Sequence, residues 1–290
     1  MLKRTLTALL LIPPVVYLIG WSPIWLFLVA LVAAVVLALR EYFGLCRAMG
    51  FKVFSWVGYA SAVALCFVQM FPLRHSYYSV DRNVAAWMLA LVLVISALAM
   101  HHSTDLKDYL AASATTIFGI LYIGLSLSFL VRIRLVGADV RYSDDLTERP
   151  ELSLGANLVL FLFAVIWAGD ICAYLVGRSM GRTPFFARIS PRKTWEGAVA
   201  GLAGSLIAAW AFARWFWKTE SVILVMLLAA WIAVAGQVGD LVESAIKRGA
   251  NQKDSGALLP GHGGFLDRID SLLFAAPALW LAMLVLGIRS

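Results

Sequence analysis

Charge is what this chain has least of. Only 14% of its 290 residues are Asp, Glu, Lys or Arg, where a soluble domain carries about 25%. A chain that is also 62% hydrophobic cannot cover a water-facing surface, so the bilayer must be its main solvent. Its mean hydropathy of +0.85 agrees. Cysteine is scarce as well. Cys46, Cys66 and Cys172 sit in or beside apolar runs, with no CxxC pair and no metal-type spacing. That argues against a disulfide framework and for small buried hydrophobes. Gly-x-Ser-x-Gly, HExxH and Walker A patterns are missing, which leaves serine hydrolysis, zinc proteolysis and P-loop chemistry without support. No repeat of fixed period is present, so the inverted halves of many transporters are not evident.

What the chain does have is long apolar runs. They are unbroken rather than alternating, which means helices and not a barrel. A span needs about 20 apolar residues, and candidates fall at 6–20, 24–39, 53–71, 84–100, 110–131, 154–176, 197–217, 222–241 and 272–288. The expected fold is an all-α polytopic integral membrane protein of about nine transmembrane helices. The first two segments, short and joined by an uncharged turn, predict a helical hairpin. Lys3 and Arg4 precede an apolar run to Gly20 without a cleavage site, which reads as a retained helix kinked at Pro13 and Pro14. An odd number of spans puts the termini on opposite sides. A cytoplasmic N-terminus places most of the 24 basic residues inside, with the C-terminus across the membrane. The net charge of +7 is read as this bias plus attraction to anionic lipid, not as nucleic-acid binding. The expected organisation is 1–153, about five N-terminal helices and an external loop, followed by 154–290. The second part would carry catalytic helices with cytoplasmic loops at 177–196 and 242–271. The segment from Arg132 to Glu151 reads as a solvated external connection.

The scarce charges gather in two places. From Ser244 to Ser271 the chain reads SAIKRGANQKDSGALLPGHGGFLDRIDS. Asp240, Glu243, Ser244 and Lys247 recur at spacings that share one helix face, as do Asp267 and Asp270. Between them lies a glycine turn, Gly261-His262-Gly263-Gly264, whose backbone N–H groups could form an anion nest. Lys247, Arg248, Lys253 and Arg268 are cations suited to phosphate, and the carboxylates are hard ligands suited to Mg²⁺. A merely solvated loop would explain the lysines. It would not explain acids at helical spacing on both sides of a glycine turn.

The second place runs from Gly169 to Gly197. Asp170 lies inside its apolar segment, where a charge costs roughly 2.5–3.5 kcal/mol on insertion scales and usually faces a partner or polar cavity. Tyr174 and Gly177 share its face, and the glycine would leave room for a ligand. Ser190 is a candidate N-cap with Pro191 at the first helical position, starting a helix that carries Arg192, Lys193 and Thr194. Such a helix start attracts phosphate. Glu196 follows.

These residues bear a resemblance. The order Ser244-x-Ile246-Lys247-Arg248, then Lys253-Asp254-x-Gly256, then Leu259-Pro260-x-His262-Gly263-Gly264-Phe265-x-Asp267-Arg268-Ile269-Asp270 resembles the signature of phosphatidate cytidylyltransferases, also called CDP-diacylglycerol synthases. Asp170, Ala173, Tyr174, Gly177, Gly181 and the run from Ser190 through Gly197 resemble that family too. The resemblance implies the reaction CTP plus phosphatidate to CDP-diacylglycerol plus pyrophosphate, at the cytoplasmic face of a bacterial inner membrane. It implies Mg²⁺, with K⁺ as a candidate second cation, and a homodimer. It suggests Asp240, Asp267 and Asp270 as metal ligands. Lys193, Lys247, Arg248, Lys253 and Arg268 would meet phosphates. Asp170, Tyr174, Ser190, Thr194, Glu196, Ser244, Gly261, His262, Gly263 and Gly264 would line the substrate site. Competing readings are a membrane polyprenol kinase, a transporter built around Asp170, and an inactive scaffold.

Overall fold

A computed structural model describes residues 12–70, 88–98, 100, 106–137, 152–217, 221–258 and 263–287. The helices run as α1 (12–20), α2 (Ile24–Ala48), α3 (Ser55–Met70), α4 (Met88–Leu98), α5 (Leu106–Gly119), α6 (Ser126–Leu135), α7 (Leu154–Met180), α8 (Trp195–Phe212), α9 (Val222–Gly249) and α10 (Asp270–Val285). A π-helical turn at Ile120–Leu125 joins α5 to α6, and a second, Ala213–Trp217, extends α8. Among the described residues, five stretches are long and apolar enough to cross a bilayer: Ile24–Ala48, Asp108–Leu135, Leu154–Met180, Trp195–Trp217 and Val222–Gly249. The helices α3, α4 and α10 are apolar but shorter. Val29, Ile223, Leu227 and Val285 are exposed on these helices, a surface that suits acyl chains rather than water. Trp21, Trp25, Trp56 and Trp215 are exposed near helix ends, as an interfacial belt requires. The chain is an integral membrane protein, and its described residues are mostly helical.

Two helices outrun their apolar segments. α7 continues to Met180 and α9 to Gly249, so both polar loops expected at 177–196 and 242–271 begin as helix. The dipole explains why α9 can continue: Lys247 and Arg248 lie in its last turn, where cations are favoured. It then stops at Asn251, whose φ of 55° is left-handed. The Gln252 N–H closes back on the Lys247 carbonyl at 2.8 Å, the usual way to satisfy a helix end.

The expected helix start at Ser190 is corrected. β1 (Pro184–Phe186) and β2 (Ser190–Thr194) form a small antiparallel hairpin, so the residues of Ser190–Thr194 are extended. The cap of α8 is Thr194, whose Oγ1 accepts from the Gly197 N–H at 3.2 Å. Ser190 and Thr194 pair across the hairpin with Phe186 and Pro184, and the Phe185 and Trp195 rings pack at 4.4 Å at its end. Both effects hold the chain extended until Thr194.

Arg134 is a second correction. It is 6% exposed rather than solvated. Its Nε donates to the Ile19 carbonyl at 2.6 Å and its Nη1 to Ser153 Oγ at 3.0 Å. The carbonyls at the end of a helix need donors, and Arg134 supplies them to α1. Ser153 in turn caps α7, accepting from the Ala156 N–H at 3.2 Å. Residues 138–151 of the expected external connection lie outside the described residues.

The described parts divide into two compact units. One comprises Met1–Ile24, Ile133–Ala245 and Ile269–Ser290; the other comprises Trp25–Arg132 and Ile246–Arg268. The second unit has a core of Val57, Leu65, Leu91, Ile95 and Ile120. The first is organised by α7 against α8, which approach through small residues. A side chain at Gly204 would meet Cys172 Sγ at 2.5 Å and the Ala168 carbonyl at 2.9 Å. Cys172 therefore has a packing role. Gly204→Val should cost about 2 kcal/mol, or roughly 6 °C in Tm, through overpacking. Thermal unfolding in detergent, compared with the unsubstituted protein, checks this.

Candidate active site

The first cluster belongs to the unit that holds α7, α8 and α10. Gly239 lets α9 approach the start of α10, since a side chain there would meet the Asp270 carbonyl at 2.6 Å. That approach converges three acids. One carboxylate oxygen each from Asp240, Glu243 and Asp270 lies within 4.8 Å of the others. Asp240 and Glu243 are one turn apart on α9, and Asp270 is the first residue of α10. Glu243 is wholly buried. Lys193 Nζ pairs with Asp240 Oδ2 at 2.5 Å, with the two side chains 28% and 31% exposed. Asp170 lies within electrostatic reach of Asp240 and Lys193, and Asp270 within reach of Asp240, Glu243 and Asp170. Asp240, Glu243 and Asp270 thus converge beside Lys193, and an all-oxygen group of this kind suits a hard divalent cation such as Mg²⁺.

Around this cluster the hairpin residues have mostly structural neighbours. The space at Gly177, expected to admit a ligand, faces Thr194 Oγ1 and Gly197 Cα at 3.3 and 3.6 Å. That glycine allows α7 to pass close to α8. Glu196 accepts from Thr183 Oγ1 at 2.9 Å and from the Thr183 N–H at 3.2 Å, which braces the start of the hairpin. Tyr174 is exposed, and its hydroxyl accepts from Arg178 Nη1 at 2.7 Å. Ser190 is half-buried in β2.

The second cluster belongs to the other unit and is built from Lys247, Ser255, Gly264 and Asp267. Lys247 Nζ lies 2.5 Å from Asp267 Oδ1, with both side chains 11% exposed. The other oxygen, Asp267 Oδ2, accepts from the Ser255 N–H at 3.0 Å, Ser255 Oγ at 3.1 Å and the Gly264 N–H at 2.8 Å. Asp267 thus has a lysine and backbone donors as neighbours, where the resemblance suggested metal. The Gly264 N–H, expected to face phosphate, is likewise directed at a protein carboxylate. Gly263 has a φ of +79°, the left-handed region that only glycine adopts freely. Arg248 Nη1 donates to the Gln252 carbonyl at 3.0 Å, while Lys253 and Arg268 are exposed. Ser244 is buried on α9. Gly261 and His262 lie outside the described residues.

Two residues stand out that sequence reasoning did not name as ligands or anchors. Glu243 was legible as the i+3 partner of Asp240, but spacing alone did not rank it. Glu41, at 8% exposure, accepts from Ser255 Oγ at 2.7 Å and from the Phe265 and Leu266 N–H groups at 2.9 and 2.8 Å. Its one sequence signal is an acid beside Arg40 at the end of an apolar run, and its partners lie more than 200 residues away.

The chain thus combines apolar helices of membrane-crossing length with a carboxylate cluster beside a lysine. The chain belongs to the cytidylyltransferase family, whose family model matches residues 2–286. It is 34% identical over 261 residues to phosphatidate cytidylyltransferase 5, chloroplastic, of Arabidopsis thaliana, covering 86% of this chain and 64% of that protein's length. It is 32% identical over 296 residues to the phosphatidate cytidylyltransferase of a Synechocystis strain, covering 90% of this chain and 89% of that one. The Bacillus subtilis phosphatidate cytidylyltransferase is 32% identical over 236 residues, covering 79% and 80%.

Proposed function

We propose that the protein transfers the cytidylyl group of CTP to phosphatidate, giving CDP-diacylglycerol and pyrophosphate. The observation that carries this reading is the convergence of Asp240, Glu243 and Asp270 beside Lys193, in a chain whose relatives bear that name. A lipid phosphate oxygen attacks the α-phosphorus of CTP in line. The new P–O bond forms as the bond to the bridging oxygen breaks, and its electron pair leaves with pyrophosphate. The attacking phosphate is already ionised at neutral pH, so the protein need not supply a strong base. Catalysis is then positioning and charge neutralisation.

Asp240, Glu243 and Asp270 are the residues that would hold Mg²⁺, which when bound offsets charge on the nucleotide phosphates. Lys193 brings a cation to the same carboxylates. Asp170, within electrostatic reach of Asp240 and Lys193, lines the same site. Lys253 and Arg268, both exposed, are the cations the reading assigns to phosphate, with Lys247 and Arg248 beside them in the chain. The reading also includes about nine crossings, a cytoplasmic N-terminus and site, the inner membrane, and a homodimer.

The purified protein in detergent should incorporate label from CTP into lipid only when phosphatidate is present. Removing divalent metal with a chelator should lower that rate at least about 100-fold, and excess Mg²⁺ should restore it. Full activity in chelator would refute the metal role. Lipid label without added phosphatidate, in lipid-free preparations, would refute the acceptor.

A further inference from the structure

The reaction as proposed makes no use of Glu41, yet its carboxylate is among the most thoroughly engaged in the chain. It lies on α2, 214 residues before Ser255, and is 8% exposed. Oε2 accepts from Ser255 Oγ at 2.7 Å and the Leu266 N–H at 2.8 Å, and Oε1 accepts from the Phe265 N–H at 2.9 Å. These donors come from two separate stretches, Ser255 and Phe265–Leu266. Burying a carboxylate is tolerable only when donors surround it, and here a remote segment supplies them.

The neighbouring glycines fit this role. A side chain at Gly256 would meet Glu41 Oε1 at 2.6 Å, and one at Gly264 would meet Glu41 Oε2 at 2.5 Å. Glycine at these two positions makes room for the carboxylate. Ser255 Oγ lies between Glu41 Oε2 and Asp267 Oδ2, at 2.7 and 3.1 Å. Its single proton can serve only one of them at a time, so the hydroxyl links the two acids, and Lys247 balances Asp267.

We infer that Glu41 is a positioning residue. Its carboxylate ties Ser255 to the Phe265–Leu266 backbone, and with them fixes the presentation of the neighbouring Lys253 and Arg268 to substrate phosphate. The inference rests on the proposed cytidylyl transfer for its catalytic consequence, but not for the anchoring itself. Glutamine is the sharpest probe, because its amide would turn an N–H₂ toward groups that are themselves donors.

The test uses the full chain in detergent, with two readouts. Hydrogen exchange reports the turn, and kcat/KM for cytidylyl transfer reports catalysis. In Glu41→Gln the Phe265 and Leu266 amides should exchange at least about 10-fold faster while those of α3 stay unchanged, and kcat/KM should fall about 10–100-fold. Glu41→Asp, which keeps the charge but shortens the reach, should fall between. Unchanged exchange at Phe265 and Leu266 would overturn the anchoring. Faster exchange with undiminished turnover would overturn the positioning role and leave the proposed function standing. Loss of protection across α3 as well would make Glu41 a residue of general stability and overturn the inference. Ser255→Ala, which removes one donor from the same carboxylate, carries both readouts if Glu41→Gln does not fold. An inactive unsubstituted protein would refute the proposed function, and exchange would still decide the anchoring.

Discussion

Asp240→Asn is expected to lower cytidylyl transfer roughly 10³-fold, because it weakens the hold on the divalent cation that would supply several kcal/mol of phosphate neutralisation. Asp240 belongs to both features of the acidic cluster: it is one of the three converging acids and the partner of Lys193. Asparagine keeps the shape and one oxygen but removes the charge. The side chain is about a third exposed, so the fold should survive. Initial rates at saturating substrate should show the loss, and the Mg²⁺ concentration needed for half-maximal rate should rise. Glu243→Gln and Asp270→Asn should act in the same direction. A normal rate in Asp240→Asn would remove the cluster from the mechanism.

Gly264→Ala should cost about 3 kcal/mol and lower transfer about 100-fold, as overpacking of a site that cannot relax. The added carbon would fall on Ser255 Oγ, with Glu41 Oε2 at 2.5 Å and the Gly256 nitrogen at 2.6 Å. None of these is the loose end of a flexible side chain, and yielding would break the hydrogen bonds that hold the turn. Gly44→Ala is the contrast within the same unit. It lies inside α2 with nothing within 4 Å of the added carbon, so alanine there should be neutral or stabilise by about 0.5–1 kcal/mol. Thermal unfolding of the two variants, with transfer rates alongside, checks both. Equal behaviour would mean that the turn is not packed against its carboxylates.

Much of this was legible in the sequence, for identifiable reasons. Apolar runs revealed the helices because the bilayer demands them, and acids at three- and four-residue spacing placed Asp240, Glu243 and Lys247 on one face of α9. Helix ends were harder. The charged last turns of α7 and α9 look like loop by hydropathy, although the dipole favours cations there. Ser190 and Thr194 are both good caps, and only the pairing of β1 with β2 decides between them. Arg134 and Glu41 were hidden for a different reason. Each is a charged residue at the edge of an apolar run, and solvation is the natural reading until long-range donors or acceptors are known. Gly264 was recognised as a backbone donor, but not the direction of its N–H. Composition suggests an anion nest, and whether the anion is substrate or a protein carboxylate depends on Glu41 and Asp267.

One measurement tests the central claim most directly. Parallel reactions with CTP labelled at the α- or the γ-phosphorus, phosphatidate and Mg²⁺ would be followed into the lipid phase. Cytidylyl transfer predicts that α-label enters lipid while γ-label leaves as pyrophosphate. γ-Label in lipid with α-label left in soluble CDP would mean phosphoryl transfer instead, and would contradict the account.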